Sequence, residues 1–159
     1  MRRYVIAALS GLVAAFGLVV AAEAQLVDKK VLTLAEAKKV MAAAQADAAK
    51  INLTMAIAIV DEGGHLLLFE KMDGTQTGSV NVAIAKARSA FLFRRPTKVF
   101  EDAVQGGRNV ILALDGLLPI EGGVPLMAGG GVIGAIGVSG GTAAQDGVVA
   151  AAGAAVLGK

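Results

Sequence analysis

Thr54 to Met72 reads TMAIAIVDEGGHLLLFEKM, and this stretch decides the fold class. Thr54 to Asp61 is short and apolar on both faces, which is the pattern of a strand inside a sheet. Gly63-Gly64 supplies the positive φ angles of a hairpin turn. His65 to Met72 then returns as the partner strand. Strict alternation sends Leu66, Leu68 and Glu70 one way and His65, Leu67, Phe69 and Lys71 the other. An antiparallel hairpin is expected, with His65 at its lip.

Upstream, Thr33 to Lys50 carries a helical period. Thr33 and Glu36 are spaced as a capping box, and Leu34, Ala37, Met41, Ala44, Ala48 and Ile51 fall on one face. Downstream, Asp73 to Gly78 is a loop and Ser79 is placed to cap a second helix reaching about Phe93. Val80, Ile84, Ala87 and Phe91 form its expected buried side. Arg95-Pro96 ends that helix, because a residue before proline is pushed out of the helical region. Thr97 opens a short third helix to about Gln105, and Gly106-Gly107 stops it. Leu118 to Ile120, Pro125 to Ala128 and Val132 to Ser139 read as three strands, with Gly129-Gly130-Gly131 turning the last pair. Thr142 and Gln145 form a second capping box before a C-terminal helix to about Leu157. The order is that of a single α+β domain with a mainly antiparallel sheet of about five strands flanked by helices.

The chain starts differently. Arg2 and Arg3 precede an uncharged run from Val5 to Ala22, and Ala22-Glu23-Ala24 presents small residues where a signal peptidase cuts. Residues 1–24 are expected to be a cleaved secretory signal peptide, leaving 25–159 as the folded domain with no permanent membrane anchor. Ser10, Gly11 and Gly17 interrupt the run and weigh against an anchor. The expected location is periplasmic or secreted. Loss of Arg2, Arg3 and Glu23 brings the net charge from +2 to +1, and nothing suggests a nucleic-acid surface.

Absences narrow the chemistry. There is no Cys and no Trp, the one Tyr is Tyr4, and His65 is the one His. Zinc sites of the usual Cys and His kinds cannot be assembled. No G-x-S-x-G elbow exists to hold a nucleophilic serine. Gly129 to Gly134 matches G-x-G-x-x-G by letter, but it precedes a strand rather than opening a helix, so it is no dinucleotide fingerprint.

What remains is a short inventory. His65 is the best metal ligand, or a proton donor. Lys86, Arg88, Arg94 and Arg95 form a basic cluster that either stabilises a helix C-terminus or recognises carboxylates. Met41 and Met55 fit apolar patterns as core filler, while Met72, at a strand end, is the one methionine kept as a soft ligand.

Several motifs occur together in order: LTLAEAKKV, VDEGGHLLLFEKMDGT, IAKARSAFLFRRPTK, IEGGVPL and GVIGAIGVSGGTAAQD. Over Val31 to Leu157 the chain closely resembles the GlcG/HbpS-like haem-binding family. That resemblance implies a profilin-like fold, symmetric homo-oligomers (often octamers), and haem as a cofactor. It places His65 in the V-D-x-G-G-x-L hairpin, Lys86 in the K-A motif, Arg95-Pro96-Thr97 in the R-P-T turn, and Gly122, Gly123 and Pro125 in the G-G-x-P loop.

Three functions follow as expectations. The first is an exported haem-binding protein serving haem or iron sensing, storage or breakdown. Arg94 or Arg95 would meet the propionates, His65 or Met72 the iron, and Lys86 is a further cofactor-binding candidate. The second is an enzyme using His65, Asp61 and Lys86 for hydration or tautomerisation of an organic acid. The third is an oligomeric accessory module for a membrane sensor, consistent with an apolar fraction of 55%.

Overall fold

The computed structural model describes residues 28–157; the expected signal peptide lies outside them. The elements are α1 (Leu34–Lys50), β1 (Ala56–Val60), β2 (Leu66–Lys71), α2 (Ser79–Phe93), α3 (Lys98–Gln105), a 3₁₀ helix (Asn109–Ala113), β3 (Gly123–Ala128), β4 (Gly131–Ser139) and α4 (Ala143–Ala154). The strands form one antiparallel sheet in the order β2-β1-β4-β3. The α+β class therefore holds, and the expected antiparallel hairpin is β1–β2. No helix among the described residues is long and apolar enough to cross a membrane.

The sequence AIAIV of β1 explains the three layers. Ile57 and Ile59 point into a core shared with α1 and α4, where Val40, Met41, Leu126, Ile136 and Val149 are buried. Ala56, Ala58 and Val60 point the other way, against Ala83, Ala87 and Ala90 of α2. Small residues on both partners let α2 lie close to the sheet. A side chain at Gly137 would run into the backbone of Ala83 and Ala87.

That close seat rotates α2 away from the expected face. Ser79, Ala83, Lys86, Ala87, Ser89 and Ala90 are buried, while Ile84 and Phe91 are half-buried at the margin. Ser79 is the first helical residue rather than the cap, and its hydroxyl is buried without a partner among the described residues. The α1 stripe needs a smaller correction: Val40 joins it, while Leu34 and Ile51 are exposed. Thr33 Oγ1 accepts from Glu36 N–H at 3.2 Å, but the Glu36 carboxylate turns to Lys39. The Thr142–Gln145 capping box is complete.

Two expectations about strands change. A bulge between Ile59 and Val60 pairs Val60 with Leu66, so Leu66 moves to the α2 side and Leu67 packs on the larger core. Four strands form rather than five, because Leu118 to Ile120 does not join the sheet. Its backbone donors go elsewhere: Leu118 N–H donates to Ser89 Oγ at 2.7 Å and Ile120 N–H to Leu118 O, and the adjoining Glu121 N–H is taken by Glu101 Oε2. Pro119, between them, has no N–H to offer a ladder.

Candidate functional site

The basic cluster of the sequence divides in space. Lys86 is 1% exposed, and its ammonium donates to Asp146 Oδ2 at 2.7 Å and to Val138 O at 3.1 Å. Asp146 Oδ1 accepts from Gly141 N–H at 2.9 Å. The pair ties α2 on one face of the sheet to α4 on the other. It passes beside Gly122, where an added Cβ would lie 2.8 Å from Lys86 Nζ. Nearby, Thr97 Oγ1 accepts from Gly123 N–H at 2.9 Å, and Thr97 N–H donates to Gly123 O. Three of the quoted motifs thus meet in a buried, interlocked knot. Lys86, expected to bind a ligand, is instead a structural cation, because its charge is already neutralised and hydrogen-bonded.

Arg94 and Arg95 lie beyond α2. Arg94 adopts the left-handed conformation at φ 52°, and the N–H groups of Arg94 and Arg95 donate to Phe91 O and Ala90 O. That is a Schellman ending with arginine where glycine is usual. The reversal carries the Arg95 guanidinium over the Phe100 ring, 5.7 Å from its centroid. Phe93 meets Phe100 edge-on at 5.2 Å.

These residues wall a cleft of about 290 Å³ between the end of α2, α3 and the 3₁₀ helix. Phe93, Val99, Phe100 and Ile111 make its apolar side, and Arg95 and Arg108 its charged edge. Arg108 was absent from the sequence reading, because it is distant in the chain and marked only by following Gly106-Gly107. A second cleft, of about 260 Å³, lies between Asp28–Lys30 and the β3–β4 turn. It has no aromatic wall.

The remaining candidates do not converge. His65 is exposed at the β1–β2 turn. Asp61 Oδ1 accepts from Gly63 and His65 N–H at 2.8 and 2.9 Å and so shapes that turn. Burial raises the Asp61 pKa, but the His65 and Gly63 N–H donors outweigh it and leave the carboxyl below its ordinary 3.8. Met72 is half-buried against the larger core, and its sulfur accepts from Met55 N–H at 3.4 Å. His65 and Met72 flank opposite ends of β2, roughly 20 Å apart at strand rise, so one iron cannot take both from one chain. Lys86 is likewise remote from the Asp61–His65 turn: it bonds Val138, which pairs with Ile57 well before that turn. The expected enzymatic trio is not assembled. Met41 and Met55 are buried, as core filler should be.

A family model described as haem degrading protein HbpS-like matches residues 32–155. Protein GlcG of Escherichia coli strain K12 is 44% identical over 98 residues, covering 58% of this chain and 73% of GlcG. A crystal structure of a double mutant of Streptomyces reticuli HbpS has a TM-score of 0.76 at 32% identity, covering 95% of this chain and 99% of that one. The crystal structure of a PduOC–haem complex has a TM-score of 0.71 at 26% identity, covering 79% and 94%.

Proposed function

The chain belongs to the HbpS-like family, and from that membership we propose that it is an exported haem-binding protein whose haem docks at the α2–α3 cleft. The observation that carries the reading is one crevice combining an aromatic wall with two guanidiniums. Half-buried Phe93 and exposed Val99 offer apolar surface to a porphyrin, with buried Phe100 backing the wall. Arg95 and Arg108 suit two carboxylates, because the planar fork of each can bind one in bidentate fashion.

The fit concerns part of the group. Ligand pockets run from about 300 to 1,000 Å³, so this cleft receives the carboxylate-bearing edge and leaves the rest outside. Haem, when bound, supplies an iron whose axial ligation and exposure set its chemistry. The protein's own part is to orient the plate through the arginines and to exclude water with Val99 and Ile111. Haem in the PduOC relative supports the reading, as does the description of the matching family. The role proposed is sensing, storage or breakdown of haem or iron.

Export rests on residues 1–24 and places the working protein in the periplasm or outside the cell. Intact-mass measurement of exported protein should find Gln25 at the N-terminus. A homo-oligomer is proposed as well, supported by exposed apolar residues beside the cleft: Leu92, Val110, Leu112 and Leu114.

The direct test is haemin titration of the mature protein. A saturable Soret change, weakened in Arg95→Ala and Arg108→Ala, is expected. Absorbance identical to haemin in buffer would end this proposal.

A further inference from the structure

We infer that the second cleft, between Asp28–Lys30 and the β3–β4 turn, binds a small aliphatic amino acid. The inference is independent of the haem reading, since the two clefts share no lining residue. The family match begins at residue 32, so the three charged residues of this wall lie outside it.

The wall is fastened at both ends. Leu32 is 5% exposed and lies against Gly134, where an added Cβ would sit 3.0 Å from its Cδ2. Lys29 Nζ donates to Glu62 O at 3.1 Å. Between these anchors the end of the Lys30 side chain runs over Gly129, with Nζ 2.9 Å from where a Cβ would stand. Gly129 and Gly130 have φ of 59° and 79°, as a two-residue hairpin turn of the I′ kind requires. The turn therefore offers bare backbone beneath an ammonium.

Three charges converge on the cleft without cancelling one another. Asp28, Lys29 and Lys30 all line it, yet none of them makes an ion pair among the described residues. Lys29 keeps two N–H donors beyond its bond to Glu62. Val132 and Ile133 supply an aliphatic floor. Two ammoniums, one carboxylate and a hydrocarbon surface complement a molecule that carries a carboxylate, an ammonium and a short alkyl chain. The lysines take the ligand's carboxylate and Asp28 its ammonium, both through charge-assisted hydrogen bonds. The volume of about 260 Å³ lies below the usual range for ligand sites, so the ligand is small. A second carboxylate on the ligand would face Asp28, and like charges reject it.

Titration of the exported protein with leucine, followed by amide NMR shifts, tests this site. Saturable shifts at Gly129, Gly131 and Val132 are expected. Isocaproate, which is leucine without its ammonium, should bind at least about tenfold more weakly. Asp28→Asn should erase that preference, and Lys30→Gln should weaken leucine about tenfold. Both residues are exposed, so both variants should keep the wild-type circular dichroism. No saturable shift at the β3–β4 turn would overturn the site. Isocaproate binding as tightly as leucine would overturn the amino-acid class. An Asp28→Asn protein that still prefers leucine would overturn the role of Asp28.

Discussion

Lys86 and Arg95 stand close together in sequence and carry the same charge, yet the fold treats them oppositely. Lys86 is sealed under α2 against Asp146, with two acceptors for its ammonium. Arg95 is exposed at the helix end, lying on Phe100 at the edge of an open cleft. A buried cation that already has its counter-ion fastens layers together. One held over an aromatic ring with its outer edge free is available to a carboxylate.

The largest effect should come from breaking the buried half of this contrast. Lys86→Met leaves Asp146 buried without its partner and should cost about 3–5 kcal/mol in urea unfolding. Removing both charges, in K86M with Asp146→Leu, should recover much of that loss. Gly137→Ala comes next. The new methyl forces α2 off the sheet, an overpacking penalty of about 1–3 kcal/mol by the same measurement.

On the exposed half, Arg95→Ala and Arg108→Ala should leave folding stability within about 0.5 kcal/mol. Each should weaken haemin about tenfold, near 1.4 kcal/mol, by titration. Arg94 sharpens the comparison, because its contribution is to backbone shape. Arg94→Gly relieves a left-handed residue and should stabilise the protein by up to about 1 kcal/mol, with haemin affinity kept.

The smallest effect concerns pH at the His65 turn. The Asp61 pKa lies below 3.8 in the folded chain, so its contribution is present above the unfolded value and fades as pH falls through the lower folded value. Amide exchange at Gly63 and His65 should accelerate only under that acid condition. In Asp61→Ala it should be fast at neutral pH too.

Much of the architecture was readable from local pattern. The Thr54–Met72 hairpin, the Thr142 capping box and the Pro96 break all depend on neighbours within a few residues. The orientation of α2 was not, since counting large apolar residues favours Val80, Ile84 and Phe91. The sheet selects alanines because Gly137 admits the helix backbone. The extra strand failed similarly: the Gly and β-branched composition from Leu117 onward could not reveal that Ser89 takes the Leu118 amide and Glu101 the following Glu121 amide. Of the cleft's charged edge, the sequence singled out Arg95 but not Arg108, and Lys86, named there as a ligand contact, lies buried against Asp146.

Backbone preference is a short-range property, so the chain's own letters determined the element order, the hairpin and the helix ends. Which charges are neutralised and which stay free depends on partners far along the chain. Lys86 meets Asp146 across sixty residues, and only the reversal at Arg94 brings Arg95 to the cleft that Arg108 also lines. That choice belongs to the folded structure, because a Coulomb partner or a cleft wall exists only once distant segments have packed.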